Sequence, residues 1–258
     1  MRFAAGLLLC GLPIVGAAAP PAGTRMSFVS CPVVRDTRTV PCWLTQYEGE
    51  WYFLTLQTDV SAPVNPPWLG HQVLVEGVIS DEPPICGGRV IKPVTLSVMP
   101  ELDASCNTML PAEDRYELGF EPPRPPGPSR GRLAFGDPVP RSAAAAPPAL
   151  DFSLSYEFDG MVMFRHAQTL QRIFDAARAA RPTELRITGF RSASRLSNGR
   201  VLREREAIGR ERAQQVRELL QGAGLDAVKY TVEWRDLSRR PDGDADAANR
   251  RVDVRLIP

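Results

Sequence analysis

The chain has 258 residues, 43% of them hydrophobic, and a formal net charge of +1. That length admits one or two ordinary domains, and the apolar share is enough for packed cores. The near-neutral balance gives no overall field aimed at nucleic acid or an anionic membrane, so no nucleic-acid partner is expected.

Residues 1–18 read as a signal peptide for export. Arg2 supplies a charge, Phe3 to Val15 is mostly apolar, and Gly16-Ala17-Ala18 supplies the small residues of a cleavage site. Cleavage after Ala18 fits better than after Ala19, because Pro20 would then follow the cut. The run is far short of the roughly 20 residues that span a bilayer, and no later segment has that length. The mature protein is therefore expected to be soluble. Leu9 is too large to precede an acylated Cys10, which argues against a lipoprotein.

Four cysteines follow the signal: Cys31, Cys42, Cys86 and Cys106. An even count in an exported chain suggests two disulfides, and three pairings are open. The local pairing, Cys31–Cys42 with Cys86–Cys106, is the expectation. With no CxxC pair and only His71 and His166 as histidines, neither a metal nor a cofactor is expected.

Residues 26–118 read as a β-rich domain. Trp51–Thr58 and Gln72–Ile79 are runs of aromatic and branched residues, and Arg89–Ile91 and Val94–Val98 flank Pro93. Short strands at this spacing fit a small barrel or sandwich. The Gly70–Gly77 run resembles a strand pair of an OB-fold barrel. Residues 119–149 are proline-rich, with Glu121-Pro-Pro-Arg-Pro-Pro-Gly-Pro128, and read as a semi-rigid linker.

Residues 150–258 alternate strands and helices. Phe152–Phe158, Leu185–Thr188, Val228–Trp234 and Arg251–Leu256 alternate apolar and polar residues, each strand with one face for a core. One helix is expected near 164–180, with Leu170, Ile173, Phe174 and Ala177 on one face. A second is expected near 200–222, stopping at Gly222 and Gly224. The order is β-α-β-α-β-β, an α+β fold with both helices on one sheet face. On the second helix, Val201, Leu202, Ile208, Ala213, Val216, Leu219 and Leu220 share an arc that also holds Arg205 and Arg212. A buried guanidinium without a partner is very costly. Both arginines must therefore snorkel, pair with acids, or meet an anionic ligand.

Three strings carry a family resemblance: Leu185-Arg-Ile-Thr-Gly189, Ile208-Gly-Arg-Glu-Arg-Ala-Gln-Gln-Val216 and Ala248-Asn-Arg-Arg-Val-Asp-Val254. From near residue 152 to the end, the chain resembles the OmpA-like C-terminal domain. The resemblance implies a non-catalytic periplasmic protein, with possible outer-membrane association. Its partner would be peptidoglycan, held by the diaminopimelate of the stem peptide, with Arg212 binding a carboxylate through two hydrogen bonds. The chain departs from the family at Gly189-Phe190-Arg191-Ser192, where Gly-His-Thr-Asp is expected, and at Arg205, which replaces an asparagine. The stretch between Gly189 and Arg212 is also longer than usual. The ligand-binding set is then Arg212, Arg191, Ser192, Arg205 and Asn249, the last mainly bracing the pocket. Three arginines together predict a cationic pocket, poor for a zwitterion and better for an anionic envelope ligand. The alternative is an envelope scaffold or assembly protein whose OmpA-like domain contacts a protein partner. No nucleophile elbow, metal spacing or phosphate loop suggests an enzyme. The run Asp242-Gly-Asp-Ala-Asp246 lacks the closing glutamate of a calcium loop and reads as a solvated turn.

Overall fold

The computed structural model describes residues 19–57, 64–116, 118, 150–161, 167–244 and 246–258. The signal segment with Cys10, the whole proline-rich stretch 119–149, and His166 lie outside the described residues. Among the described residues, no helix is long and apolar enough to cross a membrane.

The first unit is built from strands β1 (Arg25–Ser30), β2 (Pro32–Arg35), β3 (Cys42–Tyr47), β4 (Glu50–Leu56), β5 (His71–Ile79), β6 (Arg89–Leu102) and β7 (Thr108–Leu110). Their order in the sheet is β1-β5-β6-β4-β3-β2-β7. β1 pairs with β5 while β2 pairs with β3, and only Cys31 separates β1 from β2. One chain segment thus joins the first strand of the order to the one next to its other end, and the sheet curls back on itself. Phe28, Tyr52, Leu54, Val73, Val75, Ile91 and Leu96 fill the interior. All but Phe28 of β1 are inward positions of the predicted runs.

Two disulfides staple this unit, and the pairing corrects the expectation. Cys31 bonds Cys106, and Cys42 bonds Cys86. The register Pro32↔Thr45 places Cys31 beside Gln46, four residues along the strand from Cys42. That is roughly 13 Å at strand spacing, well past the reach of a disulfide. Closing such long loops restricts the unfolded chain by about 3–5 kcal/mol each.

The second unit runs β8 (Asp151–Ser155), α1 (Ala167–Ala180), β9 (Glu184–Arg191), β10 (Ala193–Arg195), β11 (Val201–Arg203), α2 (Ile208–Gly222), β12 (Lys229–Asp236) and β13 (Arg251–Ile257). The main sheet has the order β12-β9-β13-β8, with β9 and β12 parallel. Leu154, Leu185, Ile187, Val252, Val254 and Leu256 face Ile173, Ala177, Ala213, Val216 and Leu220 of the helices. Arg181, with φ +47°, and Pro182 end α1; Gly224, with φ +100°, ends α2.

Two local expectations are corrected. Residues 201–203 form β11, paired with β10, so α2 begins at Ile208 rather than near 200. The apolar Val201 and Leu202 imitate helical spacing, but the segment is held as a hairpin, and Leu202 packs against Leu74 and Phe158. Trp234 is 58% exposed rather than in the core, at the outer end of β12 with Arg210 over its ring.

Candidate functional site at Arg212

Helix α2 lies unusually close to β9. A Cβ on Gly189 would sit 1.9 Å from the Gly209 carbonyl oxygen, so only glycine permits this approach. One turn further on, Arg212 enters the space between α2, the end of β9 and the segment 156–160. Its side chain has no exposed surface.

All five guanidinium donors are taken. Nε donates to the Gly160 carbonyl at 3.0 Å. One terminal nitrogen donates to the Phe190 carbonyl at 3.4 Å and to Glu204 at 3.3 Å. The other donates to the Glu157 carbonyl at 2.9 Å and to Glu204 at 2.7 Å. The Tyr156 ring lies beneath, 4.7 Å from the guanidinium carbon. A guanidinium offers five N–H groups, so none remains for a guest.

Glu204 is equally enclosed. Besides Arg212, its carboxylate accepts from the backbone N–H of Ser192 at 2.8 Å and of Asp159 at 3.0 Å. Four donors from three segments converge on one carboxylate. This acid was not singled out in the sequence, although Arg212 on an apolar face demanded a counter-charge. The signal was the Arg203-Glu-Arg-Glu206 string just before α2.

The expected cationic pocket is not formed, because each arginine meets its own acid. Arg191 donates to the Glu204 carbonyl at 2.8 Å and pairs with Asp236 at 3.2 Å. Arg205 lies outside α2 and pairs with Glu211 at 2.5 Å, with Asp159 4.0 Å away. Ser192 is buried and donates to the Asp246 carbonyl at 3.1 Å. Asn249 sits in a short 3-10 turn, Ala247–Asn249, and accepts from Arg251 at 3.2 Å. Burial raises the Asp159 carboxyl above its ordinary value, and Glu204 reinforces this, against the pull of Arg205 and Arg212.

The aspartate loop is also tighter than a solvated turn. Asp246 is buried and accepts from the N–H groups of Arg195, Asp242 and Gly243 at 2.8, 3.1 and 3.0 Å. Asp242 and Asp244 remain exposed. The one cluster of potential metal ligands found among the described residues is Cys31, Asp103 and Cys106, whose sulfurs are joined as a disulfide. His71 turns Nδ1 to the Met99 carbonyl at 2.8 Å.

Arg212 lines neither of two surface concavities. One, of about 550 Å³, covers the outer sheet face around Arg186, Thr188, Glu233 and Asp253. The other, of about 100 Å³, lies between the units around Arg25, Glu76 and Asp244.

The chain is thus a mixed α+β protein, with two disulfides in one unit and a buried arginine–glutamate pair in the other. No protein-family model and no curated protein matches it. Among solved structures, it is similar to the OmpA-like domain of FopA1 from Francisella tularensis subsp. tularensis SCHU S4. That match has 14% identity and a TM-score of 0.32, covering 42% of this chain and 72% of the other. It is also similar to the cell wall anchor of the T6SS from Pseudomonas aeruginosa. There the identity is 23% and the TM-score 0.32, covering 42% of this chain and 80% of the other.

Proposed function

We propose that this chain is a non-catalytic, exported protein of the bacterial cell envelope whose OmpA-like domain serves as a scaffold toward protein partners rather than as a grip on peptidoglycan. Residues 150–258 are the OmpA-like domain, supported by the three sequence strings and by the alternation of strands and helices. Residues 26–118 are an OB-like barrel, supported by strand pairing in which β4 runs parallel to β6 and the continuous β1–β2 segment spans from one end of the sheet to the strand beside the other. Residues 119–149 link the two. Periplasmic residence follows from the signal-like first 18 residues.

One observation carries the choice of scaffold over wall binder. The arginine that would receive a stem-peptide carboxylate already holds Glu204, with every donor occupied and no exposed surface. An incoming carboxylate would have to displace a charge-assisted, two-pronged bond inside a low-dielectric site.

Co-sedimentation with purified sacculi tests the reading, beside an OmpA-like domain that binds them. The chain is expected to stay in the supernatant. Sedimentation that a diaminopimelate-containing muropeptide competes away would overturn the proposal.

A further inference from the structure

We propose that Ser192–Arg205 is a two-ended strap that couples docking of the barrel to closure of the carboxylate seat at Arg212. The inference rests on reading that seat as one filled from within. It adds a route by which the seat opens.

One end of the strap is fastened to the barrel. The Ser197 N–H donates to the Ser27 carbonyl at 2.6 Å, and the Ser27 N–H donates to Ser197 Oγ at 2.9 Å. Ser194 Oγ donates to Glu76 at 2.8 Å, and the buried Arg250 pairs with the same carboxylate. Leu196 and Leu202 pack with Leu74 and Val29 of the barrel and with Phe158. The other end is Glu204. Its N–H donates to the Ser192 carbonyl at 3.2 Å, and its side chain fills the seat.

Between the ends the strap is held within its own unit by side chains: Arg195 Nε donates to the Pro241 carbonyl, and Arg250, whose counter-charge is the barrel's Glu76, donates to Ser194 Oγ. β10 and β11 have three residues each and form their own two-stranded sheet. An isolated pair of that size is marginal in water. Asp246 braces its middle through the Arg195 N–H, but the Asp246 loop is itself tied to the barrel by Asp244 and Arg25 at 2.9 Å. Loss of the barrel contacts loosens the strap chiefly by leaving Arg250, which holds Ser194, without its Glu76 counter-charge; the exposed Arg25–Asp244 pair adds little. Glu204 then leaves, exposing the Arg212 guanidinium with the N–H groups of Ser192 and Asp159. That set of donors selects a carboxylate ligand. A protein that competes for the barrel surface around Ser27, Leu74 and Glu76 would open it.

Native-state hydrogen exchange on the full chain in low urea tests the coupling at the amides of Ser27, Asp159 and Ser192. All three are expected to exchange through one opening, with a shared free energy and urea dependence. Leu196→Asp, or the milder Ser197→Ala, should raise all three rates by a common factor, about tenfold for the former. In the loosened variant acetate, by binding the open form, should speed Ser27 while leaving Asp159 and Ser192, which the bound carboxylate covers, unchanged. Separate openings for Ser27 and for the other two would overturn the strap, as would exchange of all three only on global unfolding. Indifference of Ser27 to acetate in the loosened variant would overturn the seat. These readouts do not involve sacculi, so the strap and the scaffold reading can fail separately.

Discussion

Glu204 holds Arg212 through two hydrogen bonds of 2.7 and 3.3 Å, and neither side chain has any exposed surface. Breaking such a pair from one side leaves a buried charge, at a cost of about 3–5 kcal/mol. Glu204→Gln and Arg212→Met are each expected to lower the urea midpoint substantially. The double variant should lose clearly less than the sum of the two. Additive losses would mean that the two groups do not stabilise each other.

Asp159 gives the site a pH dependence of definite sign. Its carboxyl is raised above the ordinary 3.8, first by burial and then by Glu204. The folded state therefore binds a proton that the unfolded state has released, so this group's contribution to stability falls as pH rises through that window. Asp159 also has φ +51°, a conformation asparagine tolerates, and its Oδ1 accepts from the Arg205 N–H at 2.8 Å. Asp159→Asn keeps that acceptor. Relative to the wild type, the variant should gain stability between the ordinary carboxyl value and neutrality, measured as urea midpoints against pH. A constant difference across that range would contradict the assignment.

Gly189→Ala tests the close approach that aims Arg212. The added methyl would collide with the backbone oxygen of Gly209 and with Ala213, 3.0 Å from its Cβ. Relief requires moving α2 away from β9, at an expected cost of about 2–3 kcal/mol or more. Urea unfolding should show this loss. A neutral result would mean that the helix is not seated so closely.

Much of this fold was legible in the sequence. The alternation in 152–158, 185–188 and 251–256 marked three strands of the main sheet, because each buries one face against helices. The end of the second helix was marked by Gly222 and Gly224. The start of α2 was not, since Val201 and Leu202 have helical spacing yet lie in a hairpin strand, where the half-buried Leu202 packs against Leu74 and Phe158. The disulfide partners were hidden for a related reason: strand register, not chain distance, sets which cysteines meet. At the site, Arg212 was visible as a charge on an apolar face. Its partner was not, because Glu204 reaches it by a turn that local periodicity does not encode.

The contact between the units makes a separate prediction. Arg250 is fully buried and meets Glu76 and Ser194, while the Phe158 N–H donates to Ser97 Oγ at 2.9 Å. The wild type should therefore melt in one calorimetric transition. Glu76→Gln strips Arg250 of its counter-charge and should split the trace into two. One undivided, slightly lower transition would show that this ion pair does not hold the units together.

The most direct test of the self-filled seat is an NMR titration of the isotope-labelled full chain with meso-diaminopimelate. The Ser192 and Asp159 amides and the Arg212 Nε–H should stay where they are at millimolar ligand. Saturable shifts at all three would show an outside carboxylate taking the place of Glu204, and would contradict the account.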